Sequence, residues 1–168
     1  MSPSDPSADS PAVPGGGLLH PVALLSVVVL VVNDHWLKGG GLLPAVVTGK
    51  LSDLAGMAFF PLALQAGVEV VLHRLGRPWG PSRKLLVGTA AATGLFFAGI
   101  QLSDGLAAVW THGLGVLQWP VHALGALWRG DGLPALVAVG HTADVTDILT
   151  VPAVGLAVWA GWRRQVED

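Results

Sequence analysis

A chain of 168 residues that is 52% hydrophobic and 12% charged lies far below the charge content of an ordinary soluble domain, about 25%. Mean hydropathy is +0.61, carried by long apolar runs rather than alternating patterns, which points to an integral membrane protein. A net charge of −2 argues against a nucleic-acid footprint, and the absence of cysteine excludes disulfides, thiolate metal sites and a lipoprotein anchor.

Residues 1–17 are mostly Pro, Ser, Gly and Asp, a composition that buries too little apolar area to fold, so a disordered tail is expected. The tail lacks Lys and Arg, and no clear A-x-A site follows it. An uncleaved first span is therefore expected rather than a signal peptide. That span runs over 18–37, roughly 20 residues or about 30 Å, enough to cross a bilayer. Asn33 and Asp34 then reach the far interface, and Asp34 and Lys38 have the order of a helical ion pair. Gly39, Gly40 and Gly41 end the helix. Leu42 to Val47, interrupted by Pro44, is too short to span and is expected to dip back as irregular chain.

The second span is expected over 51–72, opened by Ser52 and Asp53 and kinked at Pro61. Gln65, Glu69 and His73 recur at helical spacing and form a polar stripe. A turn-rich link with Arg74, Arg77, Arg83 and Lys84 leads to the third span, 85–101. Small residues there (Gly88, Ala90, Ala91, Ala92, Gly94) suit close helix contact. The 105–128 stretch is uncharged but interleaves Trp110, His112, Trp119, Pro120, His122 and Trp128. It reads as a helix pair at the interface or re-entering within an interfacial region 103–143, or as a fifth span. The last span is 144–162, with Asp144 and Asp147 in its first turn and Arg163 and Arg164 after it.

The fold class is thus an all-α membrane protein: four transmembrane helices, five if 105–128 crosses, in a single bundle over 18–164. Basic residues favour both termini on the cytoplasmic side of a bacterial inner membrane. Arg74, Arg77, Arg83, Lys84, Arg163 and Arg164 then lie inside, and Lys38, Lys50 and Arg129 outside.

This topology gathers Asn33, Asp34, Lys38, Lys50, Ser52, Asp53, His141, Asp144 and Asp147 at the outer ends of the spans. The plainest reading is helix capping and ion pairing, with Asp144 and Asp147 spaced as cap and third residue. Three functional readings stand beside it. Lys38 and Lys50 could bind a phosphate or lipid head group, with Asp or His as general base. Asp34, Asp53, Asp144 and Asp147 could form a proton or cation path, with Glu69 as an inner relay. His141, Asp144 and Asp147 could ligate a divalent metal, though H-x2-D-x2-D is an unspecific pattern. No serine sits in a G-x-S-x-G or S-x-x-K setting. No cofactor is specified, and membrane lipids are the expected partners.

N-D-x-x-L-K at 33–38, T-G-K-L-S-D-L-A-G at 48–56 followed by Pro61, and D-x-T-D-I at 144–148 together resemble a family of small multi-pass bacterial membrane proteins without an established function. The resemblance marks Asn33, Asp34, Lys38, Lys50, Ser52, Asp53, Asp144 and Asp147 and implies no role for any of them. The layout is also distantly similar to VanZ-like proteins, which pair an early Lys with an Arg and an Asp before the last span. Here His141 stands in place of that Arg.

Overall fold

The computed structural model describes residues 13–38, 40 and 42–167, with side chains through Trp162. Residues 1–12 of the expected tail, and Gly39 and Gly41 of the expected helix stop, lie outside the described residues. All regular elements among the described residues are helical: α1 (Pro21–Val32), α2 (Ala45–Arg74), α3 (Arg83–Leu102), α4 (Asp104–Trp128) and α5 (Val154–Glu167), with single-turn and 3-10 pieces between them. Three stretches are long and apolar enough to cross a membrane: Ala45–Arg74, Arg83–Leu102 and Val145–Trp162. Pro21–Leu37 is apolar but shorter.

The boundaries differ from expectation for local reasons. His20 caps α1 by accepting the Val22 amide on Nδ1 at 3.2 Å, and Pro21 takes the first helical position, where its missing N–H costs nothing. Gly16–Leu19 is a separate 3-10 turn, so helix begins three residues after Leu18. Pro44 does not interrupt a dipping loop. It is the N-cap of α2, and its carbonyl accepts from Val47 and Thr48. The helix therefore starts at Ala45, and Ser52 and Asp53 lie two turns inside it rather than opening it. The 105–128 stretch lies within one helix of 25 residues, Asp104–Trp128, and is not a pair. Pro120 sits inside it, and the sequence reading overrated that proline as a breaker. The last span begins as a 3-10 helix, Val145–Ala153, and becomes α-helical only at Val154. Asp144 thus precedes the helix, and Asp147 lies in a 3-10 turn.

Two compact units are formed. One comprises the chain up to Leu95 and again from Leu149; the other is Phe96–Ile148. In the first, Ala23, Leu62, Leu86, Ala157 and Ala160 form a buried core, with Leu18, Val22 and Phe59 packed on it. Small residues let these helices close up. A Cβ at Gly161 would come 2.7 Å from Leu86 Cδ2, and one at Gly94 would come 3.2 Å from Val151. Of the small α3 residues expected at contacts, Ala90 is buried whereas Ala91 and Ala92 face outward. Arg83 lies 4.4 Å over the Trp162 ring.

The core admits polar side chains, and many large apolar side chains face outward. Asn33, Thr48, Gln65 and Glu69 are buried, while Leu25, Val28, Leu64, Val71 and Leu95 are exposed. Large exposed apolar surfaces mark contact with lipid or protein.

In the second unit an extended strap, residues 131–144, doubles back along α4. Trp119 Nε1 donates to Pro134 O at 2.9 Å, and the Val139 amide donates to Thr111 O at 3.0 Å. Between these two bonds the strap crosses Gly115, where a Cβ would stand 2.3 Å from Val137 O. Only glycine admits main chain that close.

Candidate functional site

The densest polar arrangement lies where α1 ends and α2 begins. After Val32 the helix widens into a π turn, Asn33–Leu37, closed by the Lys38 amide donating to Asn33 O at 2.8 Å. Such turns recur at functional sites because the extra residue re-aims side chains. Here the turn directs Asn33 inward, fully buried. Its Nδ2 donates to Thr48 O at 2.7 Å and to Ser52 Oγ at 2.6 Å. Ser52 Oγ donates in turn to Asp34 Oδ1 at 2.9 Å, and Lys38 Nζ lies 2.7 Å from that same oxygen. A chain of polar contacts thus runs from a buried amide to an exposed ion pair.

The orientation of the Asn33 amide follows from its partners. Thr48 O can only accept, and the Ser52 hydroxyl already gives its proton to Asp34, so both must receive from Nδ2. Asn33 Oδ1 is then left buried with no hydrogen-bond partner among the described residues. An orphaned buried acceptor costs about 1–3 kcal/mol.

Four of the sequence-derived residues, Asn33, Asp34, Lys38 and Ser52, are therefore in direct contact. Lys50 and Asp53 lie on α2 to either side of Ser52, both half-buried. His141, Asp144 and Asp147 belong to the Phe96–Ile148 unit. There His141 Nε2 lies 3.3 Å from Ile100 O, and the Asp144 amide donates to Gln101 Oε1 at 2.9 Å. Asp144 Oδ1 accepts from the Thr146 amide and hydroxyl at 2.8 and 2.7 Å, a local turn bond typical of Asp. Among the described residues no group of three or more His, Asp or Glu side chains could hold a metal ion. His141, Asp144 and Asp147 are thus not assembled as a ligand set.

A second polar knot sits on the other half of α2. Gln65 Nε2 donates to Glu69 Oε1 at 2.9 Å, and the Gly15 amide donates to Glu69 Oε2 at 2.9 Å. Glu69 is 1% exposed. The helical spacing of Gln65 and Glu69 marks this pair in the sequence. Its third member does not show there, because Gly15 falls in the stretch expected to be a loose tail and adopts φ +76°. His73, the last of the stripe, accepts from Trp79 Nε1 at 3.0 Å.

Comparison with family models, curated proteins and solved structures finds no match. The functional reading rests on the motifs and on this geometry.

Proposed function

We propose that the protein is a four-span integral membrane protein of a bacterial inner membrane, with both termini cytoplasmic and Pro21–Leu37 as the short span. In this reading it serves a structural or interaction role. Its outer rim is set by Asn33, Asp34, Lys38 and Ser52, flanked on α2 by Lys50 and Asp53. The carrying observation is the buried Asn33 amide, which ties the end of α1 to α2 through Thr48 and Ser52. Lys38 pairs with Asp34 at 2.7 Å, extending the chain of contacts to the surface. The many exposed large apolar side chains and the basic 74–84 link support the membrane placement.

The chain has no cysteine, so single introduced cysteines report topology cleanly. A cysteine at Gly132 should react with an impermeant maleimide in intact cells, and one at Gly80 only after permeabilisation. The reverse pattern inverts the topology. Asn33→Ala should lower the unfolding temperature in detergent. Unchanged stability together with a lost cellular phenotype would sink the structural role.

A second reading, a proton or cation conductor, is favoured by Glu69. Both donors to this buried carboxylate are neutral groups, and an ionisable residue inside a membrane bundle is a functional candidate by default. It predicts pH-driven flux in liposomes that Glu69→Gln abolishes.

A further inference from the structure

We propose that the groove between α4 and the strap binds the head group of an anionic phospholipid. The groove has a volume of about 440 Å³ and is lined on its helical side by Gln118, Trp119, His122 and Arg129, and on the other by strap residues 134, 135 and 137–139. Gln118, His122 and Arg129 recur at helical intervals and so share one face of α4. That face offers a carboxamide, an imidazole and a guanidinium, and no carboxylate is among the lining residues.

Arg129 is shaped for the task. Its Nε donates to Asp131 Oδ2 at 2.9 Å, which leaves the terminal N–H groups for a second anion. A Cβ at Gly125 would lie 3.4 Å from Arg129 Nη1, so the guanidinium folds back along the helix toward His122. The pair with Asp131 is exposed, 65% and 59% for the two side chains, and such pairs give way readily to a better partner.

Beside the polar face runs an apolar one. Val109, Val116, Leu117, Val121, Leu124 and Trp128 are all exposed and follow helical spacing. A cationic groove bordered by an apolar stripe matches an amphiphile with a negative head, where a free phosphate would leave the stripe uncovered. This inference rests on the membrane placement proposed above, but its test is read in detergent.

The full chain, in neutral detergent, is titrated with short-chain phosphatidylglycerol, phosphatidylcholine of the same chain length, and inorganic phosphate, with binding followed by native mass spectrometry. Phosphatidylglycerol should bind about tenfold more tightly than phosphatidylcholine, and Arg129→Gln should remove about that preference, the scale of one charge-assisted contact. His122→Ala should weaken binding by a smaller factor. Asp131→Asn should tighten it, a gain that a misfolded variant cannot produce. Equal affinity for the two lipids, an unaltered preference in Arg129→Gln, or a loss of affinity in Asp131→Asn overturns the proposal. So does inorganic phosphate that competes as well as the lipid, since the ligand is then the free anion. Absence of the protein from membrane fractions defeats the placement; loss of lipid selectivity in detergent defeats this site.

Discussion

The α1–α2 junction and the α4–strap hairpin solve the same problem in opposite ways. Each must hold non-helical chain against a helix in a molecule with few charges. The junction does it with side chains: an amide, a hydroxyl, a carboxylate and an ammonium in sequence. The hairpin relies mostly on main chain: one amide-to-carbonyl bond and a glycine that lets two backbones touch, with a single indole donating to a strap carbonyl. The first is sensitive to loss of polarity, the second to gain of volume.

The largest effect is expected where volume meets backbone. Gly115→Ala places its methyl on Val137 O and should cost about 1–3 kcal/mol, the usual range for overpacking, read as a lower unfolding temperature and faster exchange of the Val139 amide. Gly161→Ala is the matched control, because its Cβ meets the flexible end of Leu86. A larger loss there than at Gly115 would break the distinction.

At the junction, Asn33→Ala removes two hydrogen bonds and leaves a small void, and should cost about 2 kcal/mol. Asn33→Leu fills the void and removes the orphaned Oδ1, so it should cost less. Should Leu prove as damaging as Ala in thermal unfolding, the amide has a job beyond packing. The smallest effect belongs to Lys38→Gln. Its ion pair is 2.7 Å long but nearly half exposed on both sides, so about 0–0.5 kcal/mol is expected, vanishing with added salt.

Much of this was legible in the residues. The long apolar runs announce α2, α3 and the final crossing segment, and the 33–38 and 48–56 motifs name four residues that do meet. Two errors came from proline. Pro44 was read as an interruption, although proline at a helix start leaves no donor unsatisfied. Pro120 suggests a helix pair as one of two readings of 105–128, yet the helix continues through it. Other features left no trace. The role of Thr48 is carried by its carbonyl, which every residue possesses. The Gly15–Glu69 bond joins residues 54 positions apart, and no local pattern encodes such a pairing. The strap shows in the sequence only as an apolar stretch set between Gly132, Pro134 and Gly140, with nothing to say which helix it follows.

The returning strap also has a consequence for the proposed topology. His141 and Asp144 reach Ile100 and Gln101, the last turn of α3, so the chain leaves this excursion at the level where it entered. In the membrane placement proposed above, such an excursion would add an even number of crossings whatever the depth of α4. An apolar substitution that drives α4 deeper would then leave the carboxyl end on its original side.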